Sequence, residues 1–125
     1  MTTGSDTEIV ARLEGFDTAA ALAAMGGKTS LYLMIVRKFS DMYGNGMPEK
    51  IDALLAANDL AALQREAHTF KGLAGSLGHP GLQQAALELE TAVKTGRPDS
   101  EIRAAAADFL NALAAVTGTI QAALA

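Results

Sequence analysis

The stretch Leu60–Leu77 reads LAALQREAHTFKGLAGSL, and its apolar residues Leu60, Leu63, Ala67, Phe70, Ala74 and Leu77 recur at alternating spacings of three and four. That period lines up one face of an α-helix and predicts an amphipathic helix packed on a core. The same spacing returns in Leu82, Ala86, Leu89 and Val93 over residues 81–95, and in Ile102, Ala106, Phe109, Leu113, Val116 and Ile120. The separators are short, Gly78-His79-Pro80 and then Gly96-Arg97-Pro98, with Asp99 or Ser100 available as a cap. Short separators make successive helices antiparallel neighbours.

Upstream, Asp17 caps a short helix over residues 18–25 that Gly26-Gly27 stops. Ser30 is in place to cap the next helix, with Leu31, Ile35, Phe39 and Met42 on one stripe. Gly44-Asn45-Gly46-Met47-Pro48 interrupts it, and a straight helix would carry Ile51, Leu54 and Leu55 far from that stripe. The sequence therefore calls for a kink, a π-bulge or a true break there, without choosing among them. Asn58-Asp59 ends that segment, and Asp59 caps its successor. Residues 1–15 read as a flexible lead-in, although Ile9, Val10 and Leu13 could dock on a neighbour. The expected fold is all-α, an antiparallel up-and-down four-helix bundle over residues 16–125 with a short extra N-terminal helix.

Composition agrees and narrows the function. The chain has 125 residues, half of them hydrophobic but only 5% aromatic, so alanine and leucine fill the helices. That length suits one domain, burying roughly two-thirds of its unfolded surface. The absence of cysteine excludes a disulfide framework, a thiol nucleophile and a cysteine-ligated metal, and fits a cytoplasmic setting. A net charge of −4 argues against a general nucleic-acid binder. No apolar run approaches the roughly 18 residues of a membrane span, and the polar first residues lack a signal-peptide pattern.

One surface breaks the local rules. His68 lies about 130° from the centre of the apolar stripe, so it points outward or to the stripe's margin, with Ala61, Gln64, Arg65, Gly72 and Gly75 on its side. Lys71 stands one turn on, between the exposed face and the core. A helical glycine costs about 1 kcal/mol relative to alanine, yet Gly72 and Gly75 sit at i+4 and i+7 from His68. They clear space beside the imidazole for a substituent or a partner, and a local rule broken at one place marks a functional site. Close helix packing is the competing use of such glycines. The other histidine, His79, reads as a solvated loop residue. If helical between them, the two would be about 16 Å apart along the axis, too far to share a metal. No HExxH or phosphate-binding GKS/GKT occurs, and Ser76 is two turns from His68, too far for a dyad.

His68-Thr69-Phe70-Lys71-Gly72-Leu73-Ala74-Gly75-Ser76-Leu77-Gly78 closely resembles the signature of histidine-containing phosphotransfer (HPt) domains: H-x-[FL]-K-G, small residues, an aliphatic and a closing glycine. The resemblance runs from about residue 16 to the C-terminus. It implies that His68 accepts a phosphoryl group on Nε2 from a receiver-domain aspartate and passes it to another. In the same terms Lys71 pairs with the phosphoryl oxygens, Gly72 makes room for them, and Gly75 and Ser76 keep the approach shallow. Ser76 is also placed to donate a hydrogen bond. Ala61, Gln64 and Arg65 belong to the face that meets the partner. Glu90, next to core Leu89, is placed to reach His68 across the antiparallel pair and fix its tautomer, as in chemotaxis kinases. The resemblance implies no ATP site and no cofactor of its own, Mg²⁺ coming from the receiver. It implies as partners the receiver domains of response regulators, a hybrid histidine kinase, or both, met by a monomer. Two rivals stand beside this reading: the phosphoacceptor domain of a chemotaxis-type kinase, and a non-catalytic helical adaptor.

Overall fold

Helices begin and end where the chain supplies caps and stops. The computed structural model describes residues 5–125, and among them the regular elements are all helical: α1 (Asp6–Ala11), α2 (Thr18–Ala24), α3 (Thr29–Tyr43), α4 (Met47–Ala56), α5 (Leu60–Leu77), α6 (Pro80–Lys94) and α7 (Asp99–Leu124). Asp17 Oδ1 accepts from the Ala20 N–H, and Asp59 Oδ1 from the Ala62 N–H, each at 3.1 Å. Gly78 closes α5 at φ +77°, where a Cβ would also strike the Asp17 carbonyl oxygen at 2.6 Å. The interruption after Tyr43 is a true break. Gly46 takes φ +88° and α4 restarts with Pro48 in its first turn, where the missing N–H costs no hydrogen bond.

Four expectations are corrected. Part of the lead-in is ordered: Ser5 Oγ accepts from the Glu8 N–H at 3.3 Å, and Ile9 and Leu13, one turn apart, are both buried. Residues 1–4 of that lead-in lie outside the described residues. Ser30 is not a cap, since α3 starts at Thr29 with Lys28 in the cap position. Neither Asp99 nor Ser100 caps α7: Pro98 holds that position, and the Asp99 carboxylate pairs with Arg103 Nε at 2.8 Å.

The fourth concerns the phase of α3. Tyr32, Leu33, Val36, Phe39 and Ser40 are buried, whereas Leu31 and Met42 are 38% and 60% exposed. Residues 31–36 are apolar on every side, so periodicity cannot fix the phase. It is fixed by the Tyr32 hydroxyl, which donates to the Leu77 carbonyl at 2.6 Å, one of the end-of-helix acceptors that α5 itself cannot satisfy. Burial pushes the Tyr32 phenol up to about 12.

The helical bundle closes around Phe70, fully buried, with the rings of Tyr43 at 4.7 Å, Phe109 at 5.1 Å and Phe39 at 6.0 Å. α5 and α6 are antiparallel, with Glu90 opposite His68 and Gln83 opposite Gly75. α6 turns back again into α7, while α3 and α4 pack on both α5 and α7. Among the described residues no single helix is long and apolar enough to cross a membrane.

Candidate functional site

Because Ala67 and Phe70 are pinned in the core, the residue between them that heads the HTFKG stretch must face away. The His68 side chain is 68% exposed. On α6, core residue Leu89 fixes the position of Glu90, which is 9% exposed and aimed at α5. One Glu90 oxygen lies 2.7 Å from His68 Nδ1, and the other accepts from Lys71 Nζ at 2.7 Å. The Lys71 ammonium holds the Glu90 carboxyl below its ordinary value of 4.5, with the His68 hydrogen bond helping and burial opposing. A carboxylate only accepts, so Nδ1 carries the hydrogen, and in the neutral ring the lone pair is then on Nε2 of this exposed side chain.

The surrounding residues differ in what they meet. Gly72 faces open space, with nothing within 4 Å of where a Cβ would stand, so helix packing does not explain it. Gly75 does meet a neighbour, since its Cβ would come within 3.0 Å of the Gln83 amide nitrogen. The Ser76 hydroxyl turns back on its own helix and donates to the Gly72 carbonyl at 3.3 Å. Ala61, Gln64 and Arg65 join His68 and Glu90 in lining a depression of about 440 Å³. Lys71 is thus tied to Glu90 rather than standing free beside the imidazole.

His79 has a different place from the solvated one expected. It caps α6: Nδ1 accepts from the Leu82 N–H at 2.9 Å, and the ring stands edge-on to Phe16 at 4.9 Å. The signal available in the sequence was Pro80, which favours the first helical position and leaves its predecessor to cap. Burial holds the His79 pKa below its ordinary 6.5, so the unfolded chain binds the proton more readily. The cap therefore contributes fully above pH 6.5 and is lost as pH falls through 6.5 toward the folded value. Urea unfolding is expected to lose about 1 kcal/mol to this cap on acidification, the usual worth of an N-cap. A His79→Asn chain, which keeps an acceptor without the titration, is expected to lose that share of the pH dependence. An unchanged profile in that variant would remove His79 as the cause.

A family model described as "Hpt domain" matches residues 41–124. The match takes in the whole of α4, α5, α6 and α7, with His68, Lys71 and Glu90 inside it; residues 16–40 of the wider resemblance lie outside. No curated protein and no solved structure matches the chain. With a helical bundle, an outward histidine on the matched HTFKG stretch and a family model over most of its length, the chain belongs to the Hpt domain family, with a phosphotransfer-type role in two-component signalling and receiver domains as its general kind of partner.

Proposed function

We propose that the chain is a phosphorelay carrier in which His68 takes a phosphoryl group from one receiver aspartate and gives it to another. The observation that carries this is the 2.7 Å bond from His68 Nδ1 to Glu90, which leaves Nε2 as the exposed nucleophile. In the forward step the Nε2 lone pair attacks phosphorus while the aspartyl P–O bond breaks, its electron pair staying on the receiver carboxylate. The Nδ1 proton stays in its bond to Glu90, which stabilises the imidazolium that forms. Lys71 keeps Glu90 ionised and in place. The receiver brings the aspartate and Mg²⁺, and catalysis is positioning and charge neutralisation. The carrier acts as a cytoplasmic monomer in this reading, docking its partner over the Gly72 side of α5.

The Glu90 pairing also favours a second reading, a chemotaxis-type phosphoacceptor loaded by a kinase domain with ATP. Incubating the chain with a panel of phosphorylated receiver domains and Mg²⁺ separates the two. Acid-labile phosphate arriving from a receiver supports the relay. Labelling only by a kinase domain with ATP replaces it with the second reading.

Gly72 gives a test with two opposite signs. A methyl group there meets nothing in the folded chain, so Gly72→Ala is expected to stabilise by up to about 1 kcal/mol through helix propensity. The same methyl group stands where the partner closes on His68, and transfer is expected to slow by about tenfold, the equivalent of roughly 1.4 kcal/mol. Thermal unfolding and transfer kinetics on one sample read both. A variant that is stabilised and transfers at the wild-type rate would show that the open patch is not the docking side.

A further inference from the structure

We infer that Arg65 is the residue that grips the phosphoryl oxygens on His68, and that Lys71 is a positioning residue acting through Glu90. This rests on the phosphocarrier reading and assigns the charges within it. Arg65 sits one turn before His68 on the same face of α5 and lines the same depression, which Lys71 does not. Its side chain is exposed and makes no hydrogen bond or ion pair among the described residues. Lys71, by contrast, is only 31% exposed and bound to Glu90 at 2.7 Å.

Charge decides between the two cations. A phosphoryl group adds about −1.5 to −2 at neutral pH, beside a Glu90 carboxylate that is nearly buried. Lys71 already neutralises that carboxylate. Drawing Lys71 away to the phosphoryl group would leave Glu90 buried, without its cation and next to a second anion, an arrangement proteins avoid. Arg65 can move without breaking any bond, and its planar fork of donors matches two phosphoryl oxygens at once. Ala61, one turn further back, is small enough to leave the depression open to the guanidinium, and Gln64 adds an amide donor at its edge. The approach over Gly72 stays free for the partner.

The test uses the whole chain and phosphoramidate, a small donor with no docking surface of its own. Its P–N bond breaks and ammonia leaves as the bond from phosphorus to Nε2 forms. Labelling rate and the ³¹P shift of the phosphohistidine are followed in wild type, Arg65→Gln, Arg65→Lys and Lys71→Ala. Arg65→Gln is expected to label about tenfold more slowly, the scale of one charge-assisted hydrogen bond, and to move the ³¹P resonance, with Arg65→Lys recovering part of the rate. Lys71→Ala is expected to show its first effect in the ¹⁵N signature of the His68 tautomer. Labelling of Arg65→Gln at the wild-type rate with an unmoved ³¹P resonance overturns the inference and leaves the carrier reading intact. A wild-type chain that takes no phosphate on His68 overturns both.

Discussion

A His68→Gln chain is expected to accept no acid-labile phosphate from any phosphorylated receiver, while His79→Asn accepts it at the wild-type rate. The contrast follows from what each ring does. His68 offers Nε2 to solvent, and an amide nitrogen in its place has no lone pair free for attack. His79 has its Nδ1 occupied by the Leu82 N–H and its ring against Phe16, so it serves the fold. Stability should barely separate His68→Gln from wild type, within about 0.5 kcal/mol, because the side chain is largely exposed and a glutamine can still donate to Glu90. Loss of label therefore cannot be charged to unfolding, and a thermal melt run beside the phosphate-affinity gel checks it. Label persisting in His68→Gln would move the phosphoacceptor elsewhere. Wild type that stays unlabelled by every receiver and by a kinase domain with ATP, and whose His68→Gln variant still signals, would leave the adaptor reading in place.

The ease with which sequence pointed to this site, and not to the rest, has a physical basis. α5 was legible because, Leu73 excepted, its apolar positions are separated by polar or small residues, so the 3–4 alternation has one phase, and Asp59 and Gly78 mark its ends. His68 followed as the outward residue of a helix whose inward ones were certain. Glu90 was placed by its neighbour Leu89 in the same way. α3 failed for the opposite reason: an all-apolar run has no preferred face until Tyr32 finds the Leu77 carbonyl, a partner 45 residues away. α1 was missed because three apolar residues on a short segment, Ile9, Val10 and Leu13, gain nothing until α3 and α7 present a surface for them. The ion pair between Lys71 and Glu90 was out of reach too, since it depends on which side of α5 the lysine leans. That lean is set by tertiary packing.

Glu90→Ala is expected to lower phosphoryl transfer by about 10- to 100-fold, by analogy with the loss when the group orienting a metal-ligating histidine is removed. Two things are lost together. The imidazole no longer has an acceptor for Nδ1–H, so the tautomer with the hydrogen on Nε2, which cannot attack, gains population. Lys71 is released, and its charge no longer stands at a fixed place beside the site. Because Lys71 and His68 are both reached by solvent, neither is stranded, and the stability lost should stay near 1 kcal/mol. The deficit should lie in the maximal rate and not in receiver affinity, since Glu90 is nearly buried and presents little surface to a partner. Glu90→Gln refines the point: its carbonyl can still accept from Nδ1–H, but its amide group cannot receive a hydrogen bond from Lys71. Transfer in that variant should fall between wild type and Glu90→Ala, with the ¹⁵N spectrum of His68 still reporting hydrogen on Nδ1. If Glu90→Ala transfers as fast as wild type, the carboxylate is a structural tether for Lys71 and the tautomer needs no holding. If the rate falls while the ¹⁵N spectrum is unchanged, the loss lies in the charge of Lys71 and not in the ring.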